Sequence, residues 1–175
     1  MPVERVHNGG AGAAVGTKVT QFVSIMLYVL VAGVMWGTWL SLGRTMTGYD
    51  AETFLADGKH MMSNLATPMA VLMIAAIVAG LITVLLLWRR SRAAGWLAAA
   101  SLVLMVGVLV VTLAVEVPID NKIKSWSVDT LPADWTAIRA RWAAFHTFRT
   151  FLSLASVAAA VAAALAPRTA RRRTA

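Results

Sequence analysis

ATPMAVLMIAAIVAGLITVLLLW at 66–88, RRSR at 89–92 and AAGWLAAASLVLMVGVLVVTLAV at 93–115 form one uninterrupted stretch. Two runs without a formal charge flank a short turn that holds Arg89, Arg90 and Arg92. A hydrocarbon core ~30 Å thick is crossed by ~20 helical residues, and a lipid-exposed backbone must satisfy its own hydrogen bonds. The stretch therefore reads as a transmembrane helical hairpin with a basic turn.

Two further spans lie outside it. Val19–Leu42 carries no formal charge, and neither does Thr150–Ala166. The latter is short alone, but Phe145, Phe148 and Phe151 extend it upstream, so the span is placed at about 146–166. The expected fold is all-α: an integral membrane four-helix bundle over 19–166, between an N-terminal tail (1–18) and a basic C-terminal tail (167–175). Pro68 is expected in the first turn of span two, where its missing N–H does no harm. Pro118 and Pro167 are expected to stop spans three and four. With Pro132 in its first turn, residues 132–166 read as one helix of ~52 Å at ~1.5 Å per residue. That outreaches the membrane, so the extended fourth helix should project outward.

Composition agrees. Of the 175 residues, 59% are hydrophobic and 14% charged, against about half and about a quarter in soluble domains. Mean hydropathy is +0.71, which argues against a soluble or a disordered chain. The excess of 16 Lys and Arg over 8 Asp and Glu reads as topology. Arginines at 89, 90 and 92 and at 168, 171, 172 and 173 mark the cytoplasmic side by the positive-inside rule. Both termini are then cytoplasmic and the two longer loops face outward, the plasma membrane being the expected site. Charges flanking spans do not form a nucleic-acid patch. The absence of cysteine removes disulfides, thiolate metal sites and thiol nucleophiles. No small-residue cleavage site follows the first apolar run, which favours a retained span over a signal peptide.

Candidate chemistry lies on the outward side. Along the fourth helix Trp135, Arg139, Trp142, His146 and Arg149 fall on one stripe. Belt tryptophans and snorkelling arginines explain part of it, but His146 and Arg149 abut a wholly apolar run, where ionisable groups usually face the bundle interior. A short helix at Asp50–Asn64, capped by Asp50, would place Phe54, Gly58, Met61 and Met62 on one side. Thr53, Asp57, His60 and Asn64 would lie on the other, as an ordinary solvated face or a polar wall. Trp39 fits the belt, and Trp36, a turn deeper, is expected to line the bundle. Glu116 is expected to pair with Arg139, Arg149 or His146, and Asn121 and Trp126 lie in the connection that follows.

The strings VEVPIDN (115–121), Trp126, LPADW (131–135) and R-x-R-W-x-x-F-H-x-x-R-T (139–150) resemble the DUF1772, or anthrone oxygenase-like, family of small four-span membrane proteins. GTWLSLGR (37–44) and NLATPM (64–69) are similar to the N-terminal half of its bacterial members. The resemblance implies oxidation of an anthrone to an anthraquinone by O2 as co-substrate, without metal or flavin. On that reading His146 is the base, Arg149 and Arg139 stabilise the oxyanion, and Glu116 orients His146. Trp36 and Trp142 wall the pocket, and Trp126, Asn121, His60 and Asn64 contact a lipophilic aromatic substrate. Three alternatives stand beside it. His60 and His146 with Glu116 or Asp57 could hold a metal or haem. The chain could be a non-catalytic accessory or small-molecule-binding subunit, or a small transporter. Alanines of span four (158–160 and 162–164) permit close helix contact within one chain or in a homo-oligomer.

Overall fold

A computed structural model describes residues 5–167, and the arginines at 168–173 lie outside that range. The described residues form five α-helices: α1 (Arg5–Thr38), α2 (Ala51–Trp88), α3 (Arg92–Val111), α4 (Val117–Ser125) and α5 (Trp135–Leu165). A widened π turn, Trp39–Gly43, ends α1, and another, Thr112–Glu116, joins α3 to α4. Among the described residues four helical segments are long and apolar enough to cross a membrane, and α3 with α4 counts as one of them. This is an all-α, four-helix integral membrane bundle.

Helices α1, α2 and α3 pack in chain order, and α5 closes the ring by packing on both α3 and α1. Outward faces stay apolar, as at Val71, Ile74, Val78, Leu81 and Leu85 on α2, because the lipid around them is as apolar as a core. The interior divides into three layers. Leu87, Ala94, Ala98 and Ala163 fill the end near the Arg89–Arg92 turn. Tyr28, Val31, Met35, Met73, Ala76, Met105 and Val108 fill the middle. Met46, Phe54, Leu55, Met62, Ile119, Ile123 and Trp142 fill the loop end. Where α3 meets α5, small residues let the backbones approach, and two serines exchange hydrogen bonds. Ser101 Oγ donates to the Ser156 carbonyl at 2.7 Å, and Ser156 Oγ donates to the Ser101 carbonyl at 2.8 Å.

Gly80 marks a second close approach. A methyl group there would collide with the hydroxyl of Tyr28, whose ring is 1% exposed and has no room to swing aside. Gly80→Ala is expected to cost about 1–3 kcal/mol by overpacking, read as a lower thermal midpoint in detergent. An unchanged midpoint would show that Tyr28 repacks freely.

The proline expectations need correcting. The Asp50–Asn64 helix forms and is capped as expected, Asp50 Oδ1 accepting from the Thr53 amide at 2.8 Å. However, it runs straight into span two as the single helix α2, with Pro68 in the interior. A proline removes one backbone hydrogen bond and leaves the rest of the helix to hold. The Thr53 amide keeps the Asp50 carboxyl below the ordinary carboxylate range, so the cap is charged at neutral pH. Its contribution is lost only as pH falls through that lowered value. Pro118 does not stop span three either. The π turn just before it widens the backbone around Ala114, whose carbonyl the proline ring would otherwise strike, and the helix continues as α4. The fourth helix starts at Trp135, leaving Pro132 outside it as the carbonyl acceptor of a turn. Residues 5–18, expected as a tail, belong to α1.

Candidate active site

A cavity of about 240 Å³ opens within the loop-end half of the bundle. Its walls come from all five helices, and they are mostly apolar. Met35, Met61, Met62, Met69 and Met73 contribute five of the nine methionines. Thioether side chains are flexible and polarisable, so this wall adapts to the ligand it meets. One end is polar, formed by Thr112, Asp120, Asn121, Lys124, His146 and Arg149, with Trp142.

The polar end is organised around Arg149. One Nη2 contact reaches Glu116 Oε2 at 3.0 Å, and another reaches His146 Nδ1 at 3.0 Å. Nη1 donates to Thr112 Oγ1 at 3.0 Å, and that hydroxyl in turn donates to the Val108 carbonyl at 2.8 Å. Glu116 is fully enclosed. Its contact with the guanidinium is close but off-line, and neither carboxylate oxygen receives a well-directed donor among the described residues. Such an ion pair is held by proximity in a low dielectric more than by hydrogen-bond geometry.

This arrangement fixes the histidine. A guanidinium donates and cannot accept, so Nδ1 is the acceptor and the proton of the neutral ring sits on Nε2. Nε2 is buried and meets no partner of good geometry, the Met35 backbone being only loosely engaged. Trp142 stacks on the imidazole with centroids 5.0 Å apart and planes 7° from parallel. The Trp142 indole N–H donates to Asp120 Oδ1 at 2.8 Å. Gly43 lies behind the ring, where a methyl group would come 3.6 Å from His146 Cδ2. The imidazole is thereby clamped on its face, its edge and its Nδ1.

Of the residues singled out from sequence, His146, Arg149, Trp142 and Asn121 border the cavity. Glu116 sits behind it and pairs with Arg149, one of its three expected partners, so it reaches His146 through that guanidinium and not by direct contact. Arg139 is elsewhere. It donates to the carbonyls of Tyr49 and Thr47, each at 2.7 Å, and its guanidinium lies 4.5 Å from the Trp135 ring centroid. It clamps the connection between α1 and α2 to α5. Trp36 does not line the cavity. It stacks on Trp39 at 5.0 Å and meets Phe151 edge-on, because α1 turns that face toward α5. Trp39 Nε1 donates to Thr147 Oγ1 at 3.0 Å. The Trp126 carbonyl accepts from Lys59 Nζ, and the ring packs on the loop-end core. His60 and Asn64 are exposed on α2 and do not line this cavity, while Phe54, Gly58 and Met62 on the opposite side are buried. His60 and His146 are therefore not brought together, and no group of three His, Asp or Glu that could hold a metal ion exists among the described residues. Asp120, Thr112 and the wall methionines Met35, Met69 and Met73 are not among the residues singled out from sequence. Asp120 follows Glu116 by one helical turn, a signal hidden by the expectation that Pro118 ends the helix.

Fold and site together define a class: a small four-helix membrane protein with an apolar cavity that ends in a buried Arg–His–carboxylate cluster. The chain belongs to the anthrone oxygenase family, whose model matches residues 59–159. That range includes most of the cavity wall and every polar residue of the cluster. No curated protein and no solved structure matches the chain.

Proposed function

We propose that the protein is a membrane oxygenase that takes a lipophilic polycyclic phenolic ketone of the anthrone type and oxidises its methylene carbon with O2, using no metal or flavin. The observation that carries this reading is the placement of the His146–Arg149 cluster in the wall of an apolar cavity. A cavity of ~150 Å³ holds benzene, so about 240 Å³ suits two to three fused rings. Lining residues that are also exposed, Ala66, Ala70, Leu113, Val117 and Asn121, place the mouth between α2 and the α3–α4 segment. A ligand dissolved in the bilayer enters there sideways. By the positive-inside rule the Arg89–Arg92 turn is cytoplasmic and the cavity lies toward the outer leaflet of the plasma membrane.

The chemistry is proton removal followed by electron transfer. Loss of a methylene proton leaves the C–H electron pair delocalised onto the carbonyl oxygen. His146 Nε2–H and the Arg149 guanidinium supply donors for that oxyanion in a site poor in water, and Trp142 offers a flat face. His146, whose Nδ1 lone pair is occupied by Arg149, acts here as a donor and not as the expected base. The carbanion passes one electron to O2, the carbon radical and superoxide combine into a peroxide anion, and its terminal oxygen takes up the proton first removed to give a hydroperoxide. Loss of the second proton from that carbon breaks the O–O bond and expels hydroxide, leaving a carbonyl. Anthrone and O2 thus give anthraquinone and water, with atoms and electrons balanced.

The test is oxygen uptake and quinone absorbance with anthrone in membranes containing the protein, against membranes lacking it. Stoichiometric uptake with quinone formation is expected. Co-purification of a stoichiometric protein partner, with no uptake above the control membranes, would instead favour an accessory subunit.

A further inference from the structure

Glu116 and Asp120 lie one turn apart on the same helical run, yet they sit differently. Glu116 is sealed behind Arg149, whereas Asp120 borders the cavity. Asp120 Oδ1 is engaged by the Trp142 indole, and Oδ2 receives no hydrogen bond among the described residues. His146 presents the complementary group, an Nε2–H that only the Met35 backbone engages, and loosely, among the described residues. One rigid indole holds both: it stacks on the imidazole and donates to the carboxylate. Asp120, with one carboxylate oxygen free of donors among the described residues, and His146 thus border the same apolar cavity. This is the donor–acceptor pair that a ketone with an acidic α C–H requires.

We propose that Asp120 is the proton acceptor of this cavity, with His146 Nε2–H as the hydrogen-bond donor to the ketone oxygen, so that the pair enolises a carbon acid before any oxygen is consumed. The proposal rests on the oxygenase reading for its substrate class. In the step, Asp120 Oδ2 takes the proton, and the C–H electron pair becomes the new C=C bond as the C=O pair moves onto oxygen. Arg149 and Lys124 are the cations nearest the carboxylate and Glu116 the neighbouring anion. Return of a solvent-derived proton from Asp120 to carbon reverses the step with no redox change.

That reversibility supplies the experiment. Protein in lipid vesicles is equilibrated with anthrone in D2O without O2, and deuterium uptake at the methylene carbon is followed by mass spectrometry against protein-free vesicles. The parent should accelerate exchange, and Asp120→Asn should fall to the protein-free rate, a loss of ~10²-fold or more. Asp120→Glu should restore part of it, and His146→Gln should slow exchange less. Asp120→Asn keeps an oxygen for the Trp142 N–H. Its binding of anthraquinone, which has no acidic C–H, should therefore match the parent when read by tryptophan quenching. Parental exchange by Asp120→Asn overturns the assignment and leaves the oxygenase reading standing. Loss of anthraquinone binding together with exchange makes Asp120 a packing residue and also overturns it. A parent that does not accelerate exchange overturns both the assignment and the proton-first chemistry.

Discussion

Arg149→Met is expected to lower stability by about 3–5 kcal/mol, the usual cost of stripping one partner from a buried ion pair. Among the described residues the guanidinium is the only cation touching Glu116, which is 0% exposed, and it also holds Thr112 and His146 Nδ1. Without it a carboxylate is left uncompensated among α3, α4 and α5, where water cannot solvate it. The double variant Glu116→Gln/Arg149→Met should recover much of the loss, because a neutral amide carries a far smaller desolvation cost. Unfolding midpoints in the same detergent for the parent, both single variants and the double variant form a complete cycle. An Arg149→Met midpoint equal to the parent's would show that the pair is hydrated and that the cluster is not sealed.

His146→Ala is expected to reduce quinone formation by ~10²–10³-fold, the range for deleting one preorganised donor to a developing oxyanion. The loss should fall on kcat more than on KM, since the bond strengthens only as charge develops on oxygen. His146→Gln should retain part of the activity, because a side-chain amide can still donate. Folding should survive better than with Arg149→Met, since the deletion leaves no charge stranded. A His146→Ala enzyme as fast as the parent would remove His146 from the chemistry.

Much of the fold was legible because the bilayer restricts the choices. Length without charge marks a span, and basic turns mark one side. The helical stripe on α5 was legible for the same geometric reason: His146, Trp142 and Arg149 share a face at helical spacing and do converge on the cavity. Arg139 has the same spacing but lies higher on α5, where the Thr47 and Tyr49 carbonyls take its donors. Periodicity fixes the azimuth of a side chain. It does not fix what stands opposite at that height. Trp36 shows the converse, since depth suggested the interior while rotation of α1 delivered it to Trp39 and Phe151.

By itself, then, the amino-acid sequence determined the number of spans, their approximate limits and the residues able to carry charge near the apolar layer. These are properties of single segments in a uniform solvent. Only the tertiary structure decided that Pro68 and Pro118 lie within continuous helical runs, that Arg149 stands between Glu116 and His146, and that Asp120 faces the cavity. Each of these depends on a partner from another helix or on one widened turn, and distance along the chain carries no record of either.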